Sequence, residues 1–221
     1  MLPLENREIA KQLRTPHGPH AIQIGEFMER SNKHMYTMCL KHASLKSKES
    51  VLEIGPGNGC FVSEFFRETN DISYTGVELS QEMLQVCKNR NSAFIHDRKA
   101  SFLKGDIMDL KLPDNSYDVI IAINVIYFLN PVEVYLNDLI RIIKPGGRMV
   151  LGFRDISSMQ KLPFVDENFS LYDANRLSEI LVNSGFEQVD TKFGTEVIKL
   201  PDGRQAELLN CSCLALKGKM A

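Results

Sequence analysis

The chain has 221 residues, of which 43% are hydrophobic, and 26 basic side chains nearly balance 28 acidic ones. That length suits one α/β domain with a single core. A net charge of −2 without a basic stripe argues against a dedicated nucleic-acid surface, whose phosphate contacts need clustered cations. An RNA substrate stays open on composition alone. The most apolar run, Val119 to Leu129, contains Asn124 and reaches only half of the roughly 20 residues a membrane span needs. The N-terminus lacks the basic-then-apolar layout of a secretory leader. Five cysteines, Cys39, Cys60, Cys87, Cys211 and Cys213, are odd in number and scattered. A reduced, cytoplasmic protein without disulfides, a monomer or homodimer, is the simplest expectation.

Taken in chain order, residues 1 to 46 contain no strand-like run and are expected to form an N-terminal lid over a domain spanning 47 to 221. Arg14-Thr15-Pro16-His17-Gly18-Pro19 is a breaker cluster, hence loop. From Ile22 onward Ile24, Met28, Met35, Met38, Cys39 and Leu40 recur at helical spacing. Val51 to Ile54 is a short apolar strand, followed by a helix from Phe61 to Glu68. Tyr74 to Glu78 is a second strand, and Ser80 to Asn89 a helix with Ser80 placed to cap it. Ala100 to Lys104 is a third strand. Tyr117 to Asn124 is a continuous apolar run, as expected of a parallel strand buried on both faces. Pro131 to Ile143 is helical and stops at Lys144-Pro145-Gly146-Gly147, after which Arg148 to Phe153 is a strand. A helix from Tyr172 to Ser184 ends at Gly185. Phe186 to Phe193 and Leu208 to Leu216 are strands with only a loop and the turn Pro201-Asp202-Gly203 between them, so they pair antiparallel. The expected fold is α/β, a Rossmann-like doubly wound sheet closing on an antiparallel C-terminal hairpin.

The sharpest motif is Val51-Leu52-Glu53-Ile54-Gly55-Pro56-Gly57-Asn58-Gly59-Cys60. Glycines after a strand let the backbone turn tightly and a ligand approach it, while the following helix start offers free N–H donors. About 25 residues beyond Glu53, Glu78 closes the second strand, where a carboxylate can accept both hydroxyls of an adenosine ribose. Asp106, in Gly105-Asp106-Ile107 after the third strand, can hold an adenine amino group. Alone, Glu78 reads more often as a solvated strand end and Asp106 nearly as often as a turn aspartate; their order and spacing give them weight together.

These segments, with Tyr117–Asn124 and Lys144–Gly147, resemble the ordered motif set of class I S-adenosylmethionine-dependent methyltransferases. The resemblance is close over residues 50 to 155 and loose over the hairpin. It implies a sheet of about seven strands with one antiparallel strand. It also implies that Gly55–Gly59 cradles the methionine part of S-adenosylmethionine, that Glu78 takes the ribose, that Asp106 and Ile107 take the adenine, and that Asn124 lines the methionine end. The full set expected at the cofactor is Tyr36, Glu53, Gly55, Pro56, Gly57, Asn58, Gly59, Glu78, Leu79, Met83, Gly105, Asp106, Ile107 and Asn124. The rival is an NAD-dependent oxidoreductase. Its fingerprint wants glycine where this chain has Cys60, and Pro56 removes a backbone donor that a diphosphate needs.

Transfer from a sulfonium needs alignment more than a catalytic group, and no catalytic residue stands out. His20, Asn32, Tyr127 and Arg154 are expected at the acceptor by their position beyond strand ends or on the lid. Arg154 and Asp155 read equally well as a surface pair. Asn124-Val125-Ile126-Tyr127-Phe128 is apolar and aromatic and resembles small-molecule and quinone-type methyltransferases, so a small organic acceptor is favoured. Protein or RNA acceptors and a non-catalytic cofactor-binding module are the alternatives. His17 and His20 lack companions at ligand spacing, so no metal is expected.

Overall fold

The computed structural model describes residues 4–199 and 205–219. Its strands are β1 (Ser50–Ile54), β2 (Ser73–Glu78), β3 (Ala100–Lys104), β4 (Tyr117–Ile123), β5 (Ile143–Arg154), β6 (Gln188–Lys199) and β7 (Gln205–Leu216). They form one seven-stranded sheet in the order β3-β2-β1-β4-β5-β7-β6. β1 to β5 pair in parallel, and β7 runs antiparallel to both β5 and β6. This is the doubly wound sheet and antiparallel hairpin that the sequence predicts; the turn at residues 201–203 lies outside the described residues.

The helices are α1 (Asn6–Arg14), α2 (Ala21–Ala43), α3 (Val62–Glu68), α4 (Gln81–Arg90), α5 (Ser92–His96), α6 (Val132–Ile142), α7 (Ile156–Met159) and α8 (Ala174–Asn183). Alternation along the strands sorts the core into two layers. Leu52, Ile54, Ile120, Ala122 and Leu151 face α6 and α8. Val51, Val119, Ile121 and Val150 face α3, α4 and the second half of α2. α2 approaches the sheet so closely that a Cβ on Gly152 would sit 2.6 Å from Cys39 Sγ. Arg148 fixes the end of that helix, donating to the carbonyl of Ala43 at 2.6 Å and of Ser44 at 2.9 Å while pairing with Glu49 at 2.7 Å. His42, buried, contacts Ser212 Oγ at 2.9 Å and Asp190 at 3.0 Å.

Four features differ from the sequence expectation. α1 is a helix that the apolar pattern does not reveal, because Ile9, Ala10 and Leu13 make a stripe of barely one turn. Gln12 stabilises its exit, accepting from His17 N at 2.9 Å and donating to His17 O at 3.1 Å. The short helices α5 and α7 are likewise too brief to show periodicity. β5 begins at Ile143 rather than Arg148, with a register shift against β4 absorbing the Pro-Gly-Gly stretch. β6 runs past Phe193 to Lys199, since Gly194 breaks the side-chain alternation but not the backbone pairing with β7.

Candidate functional site

The carboxyl ends of β1, β2, β3 and β4 open into a cleft of about 970 Å³ roofed by α1 and α2. Its floor is backbone. Gly55 leaves β1 at φ +71°, and a Cβ there would lie 2.7 Å from Val125 Cγ2, so the turn requires glycine. Glu78 ties the loop to the end of β2. Its Oε2 accepts from Gly57 N at 2.9 Å and its Oε1 from Ser80 N at 2.8 Å. Burial pushes the Glu78 carboxyl up from its ordinary value, and the backbone donors oppose that. Asn58 accepts from Cys60 N at 3.1 Å and donates to Glu29 at 3.1 Å. Asp106 accepts from Met108 N at 3.0 Å and from the Tyr135 hydroxyl at 3.1 Å.

Of the residues expected at a cofactor, Tyr36, Gly55, Pro56, Gly57, Asn58, Glu78, Leu79, Gly105, Asp106, Ile107 and Asn124 line this cleft. Three lie off its wall. Glu53 is sealed beneath it at 1% exposure, accepting from Tyr36 Oη at 2.6 Å and from the Tyr74 hydroxyl. Burial pushes its carboxyl up to about 7 although both hydroxyls oppose the shift. Met83 is fully buried beneath Gly25, and Gly59 packs against Cys87 and accepts from Asn91 Nδ2 at 3.0 Å.

A second cavity of about 590 Å³ adjoins the first and shares Leu13, Met28, Asn32, Asn124 and Phe128 with it. Asn32, Tyr127 and Arg154 line it; His20 lines neither cavity. His20 sits in the short turn of helix before α2, its Nδ1 buried without a partner. A polar row stands at the junction. Tyr127 Oη donates to Asn124 Oδ1 at 3.1 Å, and Asn124 Nδ2 donates to Asn32 Oδ1 at 2.9 Å. Asn124 holds φ +57° at the end of β4, a conformation asparagine tolerates better than most residues. Arg154 is not half of a surface pair with Asp155. It is buried, donating to Ser31 O at 2.8 Å and pairing with Glu196 at 3.0 Å, while Asp155 caps α7 by accepting from Ser157 N at 2.9 Å.

The sequence pattern gave no sign of Leu13, Tyr135 or Phe169 as wall residues. Leu13 belongs to the unpredicted α1, and the other two arrive from elements remote in sequence. Among the described residues no His, Cys, Asp and Glu cluster is arranged to hold a metal, and no helix is long and apolar enough to cross a membrane.

Residues 52–151 match a family model described as a methyltransferase domain. An O-methyltransferase of Pyrenophora dematioidea is 24% identical over 172 residues, covering 75% of this chain and 64% of its own. A fatty-acid O-methyltransferase of Mycolicibacterium smegmatis is 28% identical over 131 residues, 58% of this chain and 46% of its own. The chain thus spans 46% to 64% of the length of these relatives. The phosphoethanolamine N-methyltransferase 2 of Haemonchus contortus, solved with S-adenosyl-L-methionine, shares the fold. Its TM-score is 0.75 at 17% identity, over 98% of this chain and 60% of that one.

Proposed function

We propose that this chain, a member of the class I S-adenosylmethionine-dependent methyltransferases, transfers a methyl group from S-adenosylmethionine to a small organic acceptor. One observation carries the proposal. A single cleft gathers the Gly55–Asn58 loop, Glu78 and Asp106 at the ends of three adjacent parallel strands.

The residues fit the cofactor. A carboxylate offers about four lone-pair positions, and Glu78 spends two on Gly57 N and Ser80 N. One position on each oxygen is left for a pair of ribose hydroxyls. Asp106 and Ile107 would hold the adenine, and Asn124 and the Gly55–Asn58 backbone the methionine end. When bound, the cofactor supplies an electrophilic methyl whose sulfur leaves with the C–S electron pair, so the acceptor needs only a lone pair in line with it. The protein's own task is alignment and exclusion of water, and well-oriented reactants can account for about 7–11 kcal/mol of barrier. Tyr127 is no base at neutral pH, because burial raises its hydroxyl further above an ordinary tyrosine.

The lid of this proposal is shorter than residues 1 to 46. Leu13, Met28 and Asn32 roof the cavities, whereas Met35, Cys39, Leu40 and Ala43 belong to the core. Amides from Gly18 to Ser31 should exchange quickly in the free protein and slowly with S-adenosylhomocysteine, while those of Met35 to Ala43 stay protected throughout. Equal protection of the first stretch in both states would remove the lid. The proposal extends to a reduced compartment such as the cytoplasm: all five cysteines are free, and burial raises the thiols of Cys39, Cys87, Cys211 and Cys213.

Calorimetry with S-adenosylhomocysteine and NAD tests the assignment. Micromolar binding of the first and none of the second is expected, followed by label transfer from S-adenosylmethionine to a panel of small acceptors. Tighter binding of NAD overturns the assignment, and cofactor binding without turnover on any acceptor favours a non-catalytic module.

A further inference from the structure

The second cavity has a wall of five aromatic and five aliphatic or thioether side chains, a polar edge at Ser31, Asn32 and Asn124, and a single charge. Phe27, Tyr127, Phe128, Phe164 and Phe169 bring five aromatic rings to it. Three of them form a cluster, Phe128 and Phe169 with centroids 4.9 Å apart and Tyr127 at 6.2 and 6.1 Å from them. Such clustered faces and edges favour a flat partner over a flexible chain, which would lose rotamer freedom on entry. Among the described residues the one charged side chain on the wall is Arg154.

That charge is paired at its Nη2, while its Nε is buried without a partner. Arg154 Nη2 lies 3.0 Å from Glu196 Oε1 and donates to Ser31 O at 2.8 Å, with only 10% and 16% of the two side chains exposed. Glu196 Oε1 is held in turn by Asn210 Nδ2 at 3.0 Å. An anion entering an apolar cavity needs an unpaired cation to offset its lost hydration, and here it would meet a neutral pair whose acid repels it. The position of the cavity fixes its use. Asn32, Asn124 and Phe128 border both spaces, so an occupant lies against the end of the cofactor cleft at which the methionine part is proposed to sit.

We propose that this cavity is the acceptor pocket and that it selects an uncharged, ring-bearing acceptor over a carboxylate. The inference rests on the methyl-transfer proposal, and it departs from the fatty-acid substrate named for one relative.

Three probes test it on the full chain saturated with S-adenosylhomocysteine: 2-naphthol, which is neutral at neutral pH, and 2-naphthoate and decanoate, which are not. Calorimetry should show 2-naphthol binding about tenfold or more tightly than either carboxylate. Glu196→Gln frees the Arg154 charge, and 2-naphthoate affinity should rise about tenfold while that of 2-naphthol changes little. The inference is overturned if 2-naphthoate or decanoate equals 2-naphthol on the unmodified protein, or if none of the three binds. It is also overturned if a folded Glu196→Gln protein keeps its preference. The comparison on the unmodified protein decides the matter should that variant not fold. Saturation with S-adenosylhomocysteine is measured first, so failure of the methyltransferase assignment appears there and failure of the pocket appears only afterwards.

Discussion

The two cavities share a wall and are built by opposite means. The larger is built around strand ends: a glycine turn at positive φ whose Gly55, Gly57 and Gly59 amides are already bonded, and carboxylates at consecutive strand ends, beneath a roof from α1 and α2. The smaller is made from side chains delivered by α1, α2, the segment after β4, the end of β5, α7 and the loop after it, and β6. The difference lies in tolerance. A backbone cradle has one geometry and accepts almost no change, whereas a wall of apolar side chains can be recut for a new ligand without disturbing the sheet.

The largest expected effect lies under the backbone cradle. Burial holds Glu53 near 7, above the 4.5 of a free glutamate, so between those values the folded chain keeps a proton that the unfolded chain has lost. Stability contributed by Glu53 is therefore complete below 4.5, falls as pH rises to about 7, and is level beyond it, a change of about 3 kcal/mol. Glu53→Gln should remove this dependence, gaining on the parent chain by that amount between about pH 4 and about pH 8 in denaturant titrations. A difference between the two chains that does not vary with pH means that the buried carboxyl is already ionised. Next comes Gly55→Ala, which places a side chain at φ +71° against Val125 and should cost about 2 kcal/mol together with cofactor affinity. Phe164→Ala, on the other wall, should leave S-adenosylhomocysteine binding within about twofold. If Gly55→Ala is the harmless one and Phe164→Ala the costly one for that ligand, the contrast between cavities is inverted. Comparable in size is Glu78→Ala, expected to weaken S-adenosylhomocysteine by about tenfold or more, since hydrogen bonds to a charged group contribute about 1.5–3 kcal/mol each. The substitution also releases Gly57 N and Ser80 N, so circular dichroism must show the fold kept. An unchanged affinity in a folded protein puts Glu78 outside the binding site.

Legibility divides along the same line. The sheet and the cofactor cleft could be read because their signals are local: the glycine loop follows its own strand, and Glu78 and Asp106 each close one. Parallel strands such as Val119–Ile123, buried on both faces, announce themselves as apolar runs. Glu53 and Gly59 fall within the glycine motif, and Met83 in the helix after Glu78, yet all three lie off the cleft wall. A motif fixes the path of the chain but not which face of it the ligand sees. The acceptor cavity was nearly silent. Tyr127 and Arg154 were placed by topology alone, and the pairing of Arg154 with Glu196 joins residues 42 positions apart. Phe164 and Phe169 lie in a stretch with no periodicity to mark them.

The smallest effect is expected where the two walls meet. Tyr127, at 3% exposure, accepts from Arg154 N at 2.5 Å and donates to Asn124 Oδ1 at 3.1 Å. Tyr127→Phe keeps the ring against Phe128 and Phe169 but leaves that backbone donor unpaired, so a loss of about 1 kcal/mol is expected in thermal or denaturant unfolding. The variant also frees the Asn124 side chain, which then depends on Asn32 alone for its orientation. If the junction serves alignment and not cofactor affinity, S-adenosylhomocysteine should bind the variant within about twofold of the parent chain, and methyl transfer should slow through kcat with KM for the cofactor unchanged. A tenfold loss of S-adenosylhomocysteine affinity, about 1.4 kcal/mol, would show that Tyr127 and Asn124 belong to the cofactor cleft. The boundary between the cavities would then run on the far side of Tyr127, and the aromatic wall beside it would have to be counted as part of the cofactor's own surroundings.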